Sequence, residues 1–134
     1  MKKKKNNNGS VLLITIFATA LLAAITIAIL QMNTEEIQLM RNQIYAAQAL
    51  AIAEAGLNDA FSELRVDRNW DSGFSNKVFE DGSYTVTVSG SLPDLTIEST
   101  GTSTQGFVAK VEADITVGSL SPYLMGINSL RINE

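Results

Sequence analysis

The chain has 134 residues, a formal net charge of −4, 46% hydrophobic residues, and neither histidine nor cysteine. The two missing residue types exclude cysteine nucleophiles, histidine-based triads, the usual zinc ligands and structural disulfides together. The charge is lopsided: four lysines stand before Gly9, while beyond it six Lys or Arg face 14 Asp or Glu, a net −8 that argues against nucleic-acid binding.

After Lys2 to Lys5 and three asparagines comes Gly9, then SVLLITIFATALLAAITIAIL, 21 residues from Ser10 to Leu30 without a charge. At about 1.5 Å per residue such a helix is roughly 31 Å long, the thickness of a bilayer's hydrocarbon core. Twelve of its residues are Val, Leu, Ile or Phe. Together they favour insertion by about 5 kcal/mol. A secretory signal peptide is the rival reading, with the lysines as basic start and Ala18-Thr19-Ala20 as a small-x-small cleavage site. Cutting there leaves LLAAITIAIL on the mature chain and no polar cleavage region, so signal-peptide removal is disfavoured. What remains is an uncleaved anchor, or a cut at Gly9-Ser10 that leaves the apolar helix intact. In both, the lysines hold the N-terminus in the cytoplasm and the rest is exported.

Within this span Ala20, Ala24 and Ala28 recur every four residues, and Thr15, Thr19 and Thr26 share a similar face. Small residues at this spacing let helices approach closely, and threonines can bond across them. Equally, alanine is common in any membrane helix and threonine usually bonds its own backbone. The residues alone leave both readings open.

From Ser10 to Ala55 there is neither Gly nor Pro. One continuous helix of about 55 residues, roughly 80 Å long, is predicted. Residues 31–65 form its amphipathic exported half. Ala46, Leu50, Ala53, Leu57, Phe61 and Leu64 make an apolar stripe, with Asn58, Asp59, Ser62 and Glu63 opposite. Gly56 interrupts it at a cost of about 1 kcal/mol relative to alanine. A close contact with the following domain is one explanation.

Past Arg65 the composition turns to strands. In GFVAKVEADITV, Phe107, Ala109, Val111, Ala113, Ile115 and Val117 face one way, and Lys110, Glu112 and Asp114 the other. SYTVTVS places Tyr84, Val86 and Val88 on one side, and DLTIEST offers Leu95 and Ile97. Turns are predicted at Asp81-Gly82 and Thr104-Gln105-Gly106, with Ser89 to Asp94 as a longer connection. The end, SPYLMGINSLRINE, reads as one more edge strand through Leu130 and Ile132, or as the start of something longer. The expected fold is therefore α+β: a long N-terminal helix packed on a small antiparallel β-meander of three or four strands. The 69 residues of 66–134 are too few for a large core, so Leu50, Leu57, Phe61 and Leu64 are expected to cover the sheet.

Asp67, Asn69 and Asp71 alternate like the start of a calcium loop, yet Gly73 comes one place late and Val78 stands where a bidentate glutamate belongs. The competing reading is a helix-to-sheet connection with Trp70 plugging the core edge. No cofactor, metal or catalytic site is expected.

KKKKNNNG followed by SVLLITIFATALL resembles a class III leader, the basic segment ending in glycine that prepilin peptidase removes from type IV pilins and pseudopilins. QALAIAEAGLNDA, Gln48 to Ala60, resembles the AEAGL-type motif of the PilX N-terminal family of minor pilins, and DGSYTVTV and LTIESTGTSTQGFVAKVEADITV resemble the sheet that follows it. The resemblance implies cleavage between Gly9 and Ser10, N-methylation of Ser10, and a pilin-like structural subunit that is not an enzyme. It implies membrane lipid as first surroundings, then an inner-membrane assembly platform and other pilin-like subunits that bundle with the helix. Two positions depart from the major pilins. Ser10 stands where they have phenylalanine, and Ile14 where they carry the glutamate that pairs with a neighbour's N-terminal amine. The second departure resembles the K-type minor pseudopilin and implies a minor, priming or tip-proximal subunit of a type IV pilus or type II secretion pseudopilus. The alternative is a permanently anchored surface module whose sheet binds a ligand.

Overall fold

The computed structural model describes residues 8–133. Lys2 to Lys5 lie outside the described residues. The chain forms α1 (Asn8–Val66), then β1 (Phe74–Phe79), β2 (Gly82–Ser91), β3 (Asp94–Ser103), β4 (Val108–Val117) and β5 (Met125–Asn133). The strands make a single antiparallel sheet in chain order, β1-β2-β3-β4-β5. This is the expected α+β arrangement, a long apolar N-terminal helix packed on an antiparallel sheet.

Contacts divide the chain into residues up to Arg41 and a second unit from Asn42 to Glu134. Described by itself, the first unit is helix from Asn8 to Arg41, and its described apolar side chains are exposed. The helix is long and apolar enough to cross a membrane, and none of its apolar window is buried.

In the second unit the helix covers the sheet. Ala49, Ile52, Ala53, Leu57, Ala60 and Leu64 are buried against Tyr84, Val86, Leu95, Ile97, Val111, Ala113, Ile115 and Val117. Leu50 and Phe61 are only partly buried at the margin of this core. The predicted stripe is thus present but turned. Its centre is the small residues Ala49, Ala53, Gly56 and Ala60, and its large members flank them.

The reason is how closely helix and sheet approach. A Cβ added at Gly101 on β3 would collide with the carbonyl oxygen of Ala49 and the amide of Ala53, and lie 3.0 Å from the Ala53 Cα. A Cβ at Gly56 would lie 2.5 Å from Ser99 Oγ and 2.7 Å from Tyr84 Cδ2. Helix backbone therefore rests on strand backbone, which only glycine and alanine permit. The AEAGL stretch is the seam of the domain, and the close contact read as one explanation for Gly56 is present.

Several details differ from expectation. The sheet has five strands, because Phe74–Phe79 pairs with β2 and the C-terminal stretch forms β5. The β2–β3 connection is only Leu92-Pro93, since Ser91 already pairs with Asp94. The β1–β2 turn lies at Glu80-Asp81, one place before the predicted pair, and Gly82 begins β2. Phe107 precedes β4, where its ring lies 5.8 Å from that of Tyr45.

Both edge strands are bulged. In β1 the register slips between Phe74 and Lys77, where Asn76 takes φ 47°. In β5 it slips between Ile127, opposite Ile115, and Ser129, opposite Asp114. Each extra residue shifts the alternation by one, so Phe74 and Lys77, like Ile127 and Leu130, share the helix-side face although they stand three apart. Edge bulges also discourage further strand pairing.

Gly101→Ala is expected to lower the stability of the domain to urea by about 1–3 kcal/mol, the usual cost of overpacking. Gly126→Ala, where an added Cβ meets nothing within 4 Å, should stay within about 0.5 kcal/mol. Equal effects of the two would mean that the backbone contact is not limiting.

Candidate functional site

Three regions carry the candidate chemistry: the start of the helix, a helix-side polar cluster, and the connection that leads into the sheet. At the start, Gly9 and Ser10 lie at the beginning of α1, both exposed. A Cβ at Gly9 would meet nothing within 4 Å, and its backbone is not left-handed. Nothing in the fold requires glycine there, and in a helix it costs about 1 kcal/mol against alanine.

Beyond it the large apolar side chains are bare, from 49% exposed at Ile25 to 72% at Phe17. Leaving the twelve such residues between Val11 and Leu30 in water costs on the order of 20 kcal/mol. This half requires lipid or protein around it. Ala20, Ala24 and Ala28 are exposed on it without a partner among the described residues. The threonines bond their own helix: Thr15 Oγ1 donates to the Leu12 carbonyl (2.8 Å), Thr19 to Ile16 (2.9 Å) and Thr26 to Leu22 (2.8 Å). In the isolated chain their hydroxyls are satisfied internally.

The second region joins β1 to the helix. Lys77 Nζ donates to Asp59 Oδ2 at 2.7 Å, and the Tyr84 hydroxyl donates to the same oxygen. Lys77 also lies 4.4 Å from the Phe74 ring centre, a cation–π contact. The hydrogen bond from Lys77, then that from Tyr84, holds the Asp59 carboxyl below the usual range. Asp59 in turn pushes Lys77 up. Burial, followed by the bond to Asp59, raises Tyr84. Asp59 stands opposite the predicted apolar stripe. The bulge at Asn76 turns Lys77 toward it, and no local sequence pattern announces that pairing.

The face of the sheet away from the helix is a polar ladder. Thr96 Oγ1 donates to Asp114 Oδ1 (2.8 Å), and Ser129 Oγ (2.7 Å) and Arg131 Nη2 (2.6 Å) donate to Oδ2. The Ser129 and Thr96 bonds, with Arg131 nearby, hold Asp114 below the usual carboxylate range. Thr116 Oγ1 donates to Asp94 (2.7 Å), and Lys110 pairs with Glu98 (2.9 Å). These acids are matched within the sheet, which makes this face a structural surface.

The third region is the connection from α1 to β1. Asp67 Oδ1 accepts the Asn69 amide (2.9 Å), and the Asp67 carbonyl accepts the Trp70 amide (3.1 Å). The Asp67 carboxylate thus closes its own turn. Among the described residues no three acidic side chains converge as cation ligands would. Trp70 packs at the core edge, its ring 5.1 Å from Phe74, as the plug reading anticipates. Between this connection and the β2–β3 hairpin lies a cleft of about 290 Å³.

Asp59 is held below its ordinary 3.8, so its contribution to stability is complete above that value and is lost as pH falls through the lower folded one. Lys77 is held above its ordinary 10.5, so its contribution is complete below 10.5 and is lost as pH rises through the higher folded value. Both side chains are close to half exposed, so Asp59→Asn should cost no more than about 1 kcal/mol near neutral pH. The difference in urea stability between parent and variant should shrink at acid pH, as pH falls through the lowered folded value and the Asp59 carboxyl is protonated. A difference that persists there would assign the effect to packing instead of charge.

No protein-family model matches the chain, and neither a curated protein nor a solved structure does.

Proposed function

We propose that this chain is a structural minor pilin- or pseudopilin-like subunit, made as a single-pass protein of the bacterial cytoplasmic membrane. Its N-terminus faces the cytoplasm and the sheet is exported. Prepilin peptidase cuts between Gly9 and Ser10 and methylates Ser10. With the lysines gone, the charges that hold that end in the cytosol are removed. The assembly platform can then draw the helix into a type IV pilus or type II secretion pseudopilus, where lipid contacts are exchanged for neighbouring helices. No reaction is assigned to it.

The observation that carries this reading is the bare apolar half of α1, which starts directly after a glycine that the fold does not require. A glycine kept at a helical cost without a structural reason fits recognition by another protein. The exposed Ala20, Ala24 and Ala28 provide a face on which a second helix can pack closely. Ile14, exposed on the same half, supplies no carboxylate for a neighbour's amine, in keeping with a minor, priming or tip position.

Mass spectrometry of the mature protein is expected to find Ser10 as first residue with one added methyl group, and Gly9→Ala to leave the leader attached and block incorporation into filaments. An intact leader on the functional protein would instead support the permanently anchored surface module. Labelled subunits should be sparse along purified filaments. Even labelling at high stoichiometry would exclude a minor role.

A further inference from the structure

The cleft beside Trp70 contrasts with the polar ladder on the other face of the sheet. On the ladder face Asp94, Glu98, Glu112 and Asp114 all have partners. Around the cleft, among the described residues, the side chains of Asn69, Trp70 and Asp71 form no hydrogen bond to another residue, and Arg68 forms no ion pair. Arg68 also has a buried Nε–H without an acceptor. Such a group costs about 1–3 kcal/mol when nothing accepts it.

Opposite these residues the β2–β3 hairpin supplies Ser91 and Leu92, and the left-handed Gly90 (φ 101°) shapes its bend. Trp70 as a plug needs only its ring against Phe74. Beyond that ring, the exposed Asn69 and Asp71 and the half-buried Arg68 bring an amide, a carboxylate and a guanidinium to the border of the same cleft.

We infer that this cleft is a saccharide-binding site, in which the Trp70 ring stacks on the apolar face of a pyranose while Asn69, Asp71 and Arg68 bond its hydroxyls. The lining combines one cation with one anion, so it is balanced toward a neutral ligand. Donors and acceptors are both present, as adjacent hydroxyls that each donate and accept require. A volume of about 290 Å³ is at the small end of ligand pockets, which run from about 300 to 1,000 Å³. It suits a short saccharide, or one unit of a longer chain lying across the opening. Leu92 and Leu95 give the apolar floor that such pockets usually have. The inference concerns the exported sheet and stands whether or not the subunit enters a filament.

Trp70 is the only tryptophan, so the emission of the full-length protein in phospholipid nanodiscs reports on this cleft directly. It is titrated in turn with maltotriose, cellotriose and triacetylchitotriose, and with phosphate and citrate as anion probes. A saturable change with at least one trisaccharide is expected, weakened about tenfold by Asn69→Ala and by Asp71→Ala and unchanged by Glu98→Gln on the opposite face. Amide shift mapping on the unmutated chain should place the perturbed residues within 68–71 and 88–95. The inference is overturned by no saturable change with any trisaccharide, by saturation with phosphate or citrate alone, by binding in the Asn69 and Asp71 variants as tight as in the parent, or by shifts centred elsewhere.

Discussion

The contact on which this domain depends is between two backbones. Gly101 of β3 lies against the Ala49–Ala53 turn of the helix, and Gly56 lies over Ser99 and Tyr84. With helix and sheet this close, the ring of Tyr84 is buried and its hydroxyl reaches Asp59. That places Asp59 where Lys77 of the bulged edge strand can meet it, and β1 is tied to the helix as well as to β2. A larger residue at the seam would part the two layers and loosen these dependent contacts together.

The same helix serves two environments, and its composition changes accordingly. Up to Leu30 its large side chains are aliphatic or aromatic all round and none is buried by the chain itself. From Asn42 onward it is alanine-rich, with one face given to the sheet and Glu54, Asn58, Ser62 and Glu63 exposed on the other. The first half buries none of its apolar window within the chain; the second packs on residues of its own chain.

Much of this was legible in the sequence, and the exceptions have physical causes. The helix was visible because Ser10 to Ala55 holds no breaker, and β2, β3 and β4 because their apolar residues alternate strictly. The strand β1 was hidden because Ser75, Asn76 and Lys77 interrupt its middle, and its bulge places Phe74 and Lys77 three apart on one face. For the same reason Ile127 and Leu130 gave no alternating signal, since Asn128 is the unpaired residue between them. The predicted helix stripe held Ala53, Leu57 and Leu64, which are buried, but followed the large Leu50 and Phe61 and passed over Ala49, Ile52 and Ala60. At a backbone-to-backbone contact the closest positions are the smallest ones, Ala49, Ala53 and Gly56. The pairing of Asp59 with Lys77 joins residues 18 apart and depends on a bulge, so local spacing could not reveal it. Gly9 and Ser10 stand out in the sequence by their place between a basic run and an apolar one, and in the fold a Cβ added at Gly9 would meet nothing within 4 Å.

Residues 42–66 are as much part of the sheet domain's core as the strands are. Two water-soluble fragments, 42–134 and 67–134, compared by urea unfolding and by amide dispersion in NMR spectra, test it most directly. The longer fragment should unfold in one cooperative transition with dispersed resonances, and the shorter one should lack both. A cooperative, well-dispersed fragment 67–134 would contradict the account, since the sheet would then hold itself together without the helix.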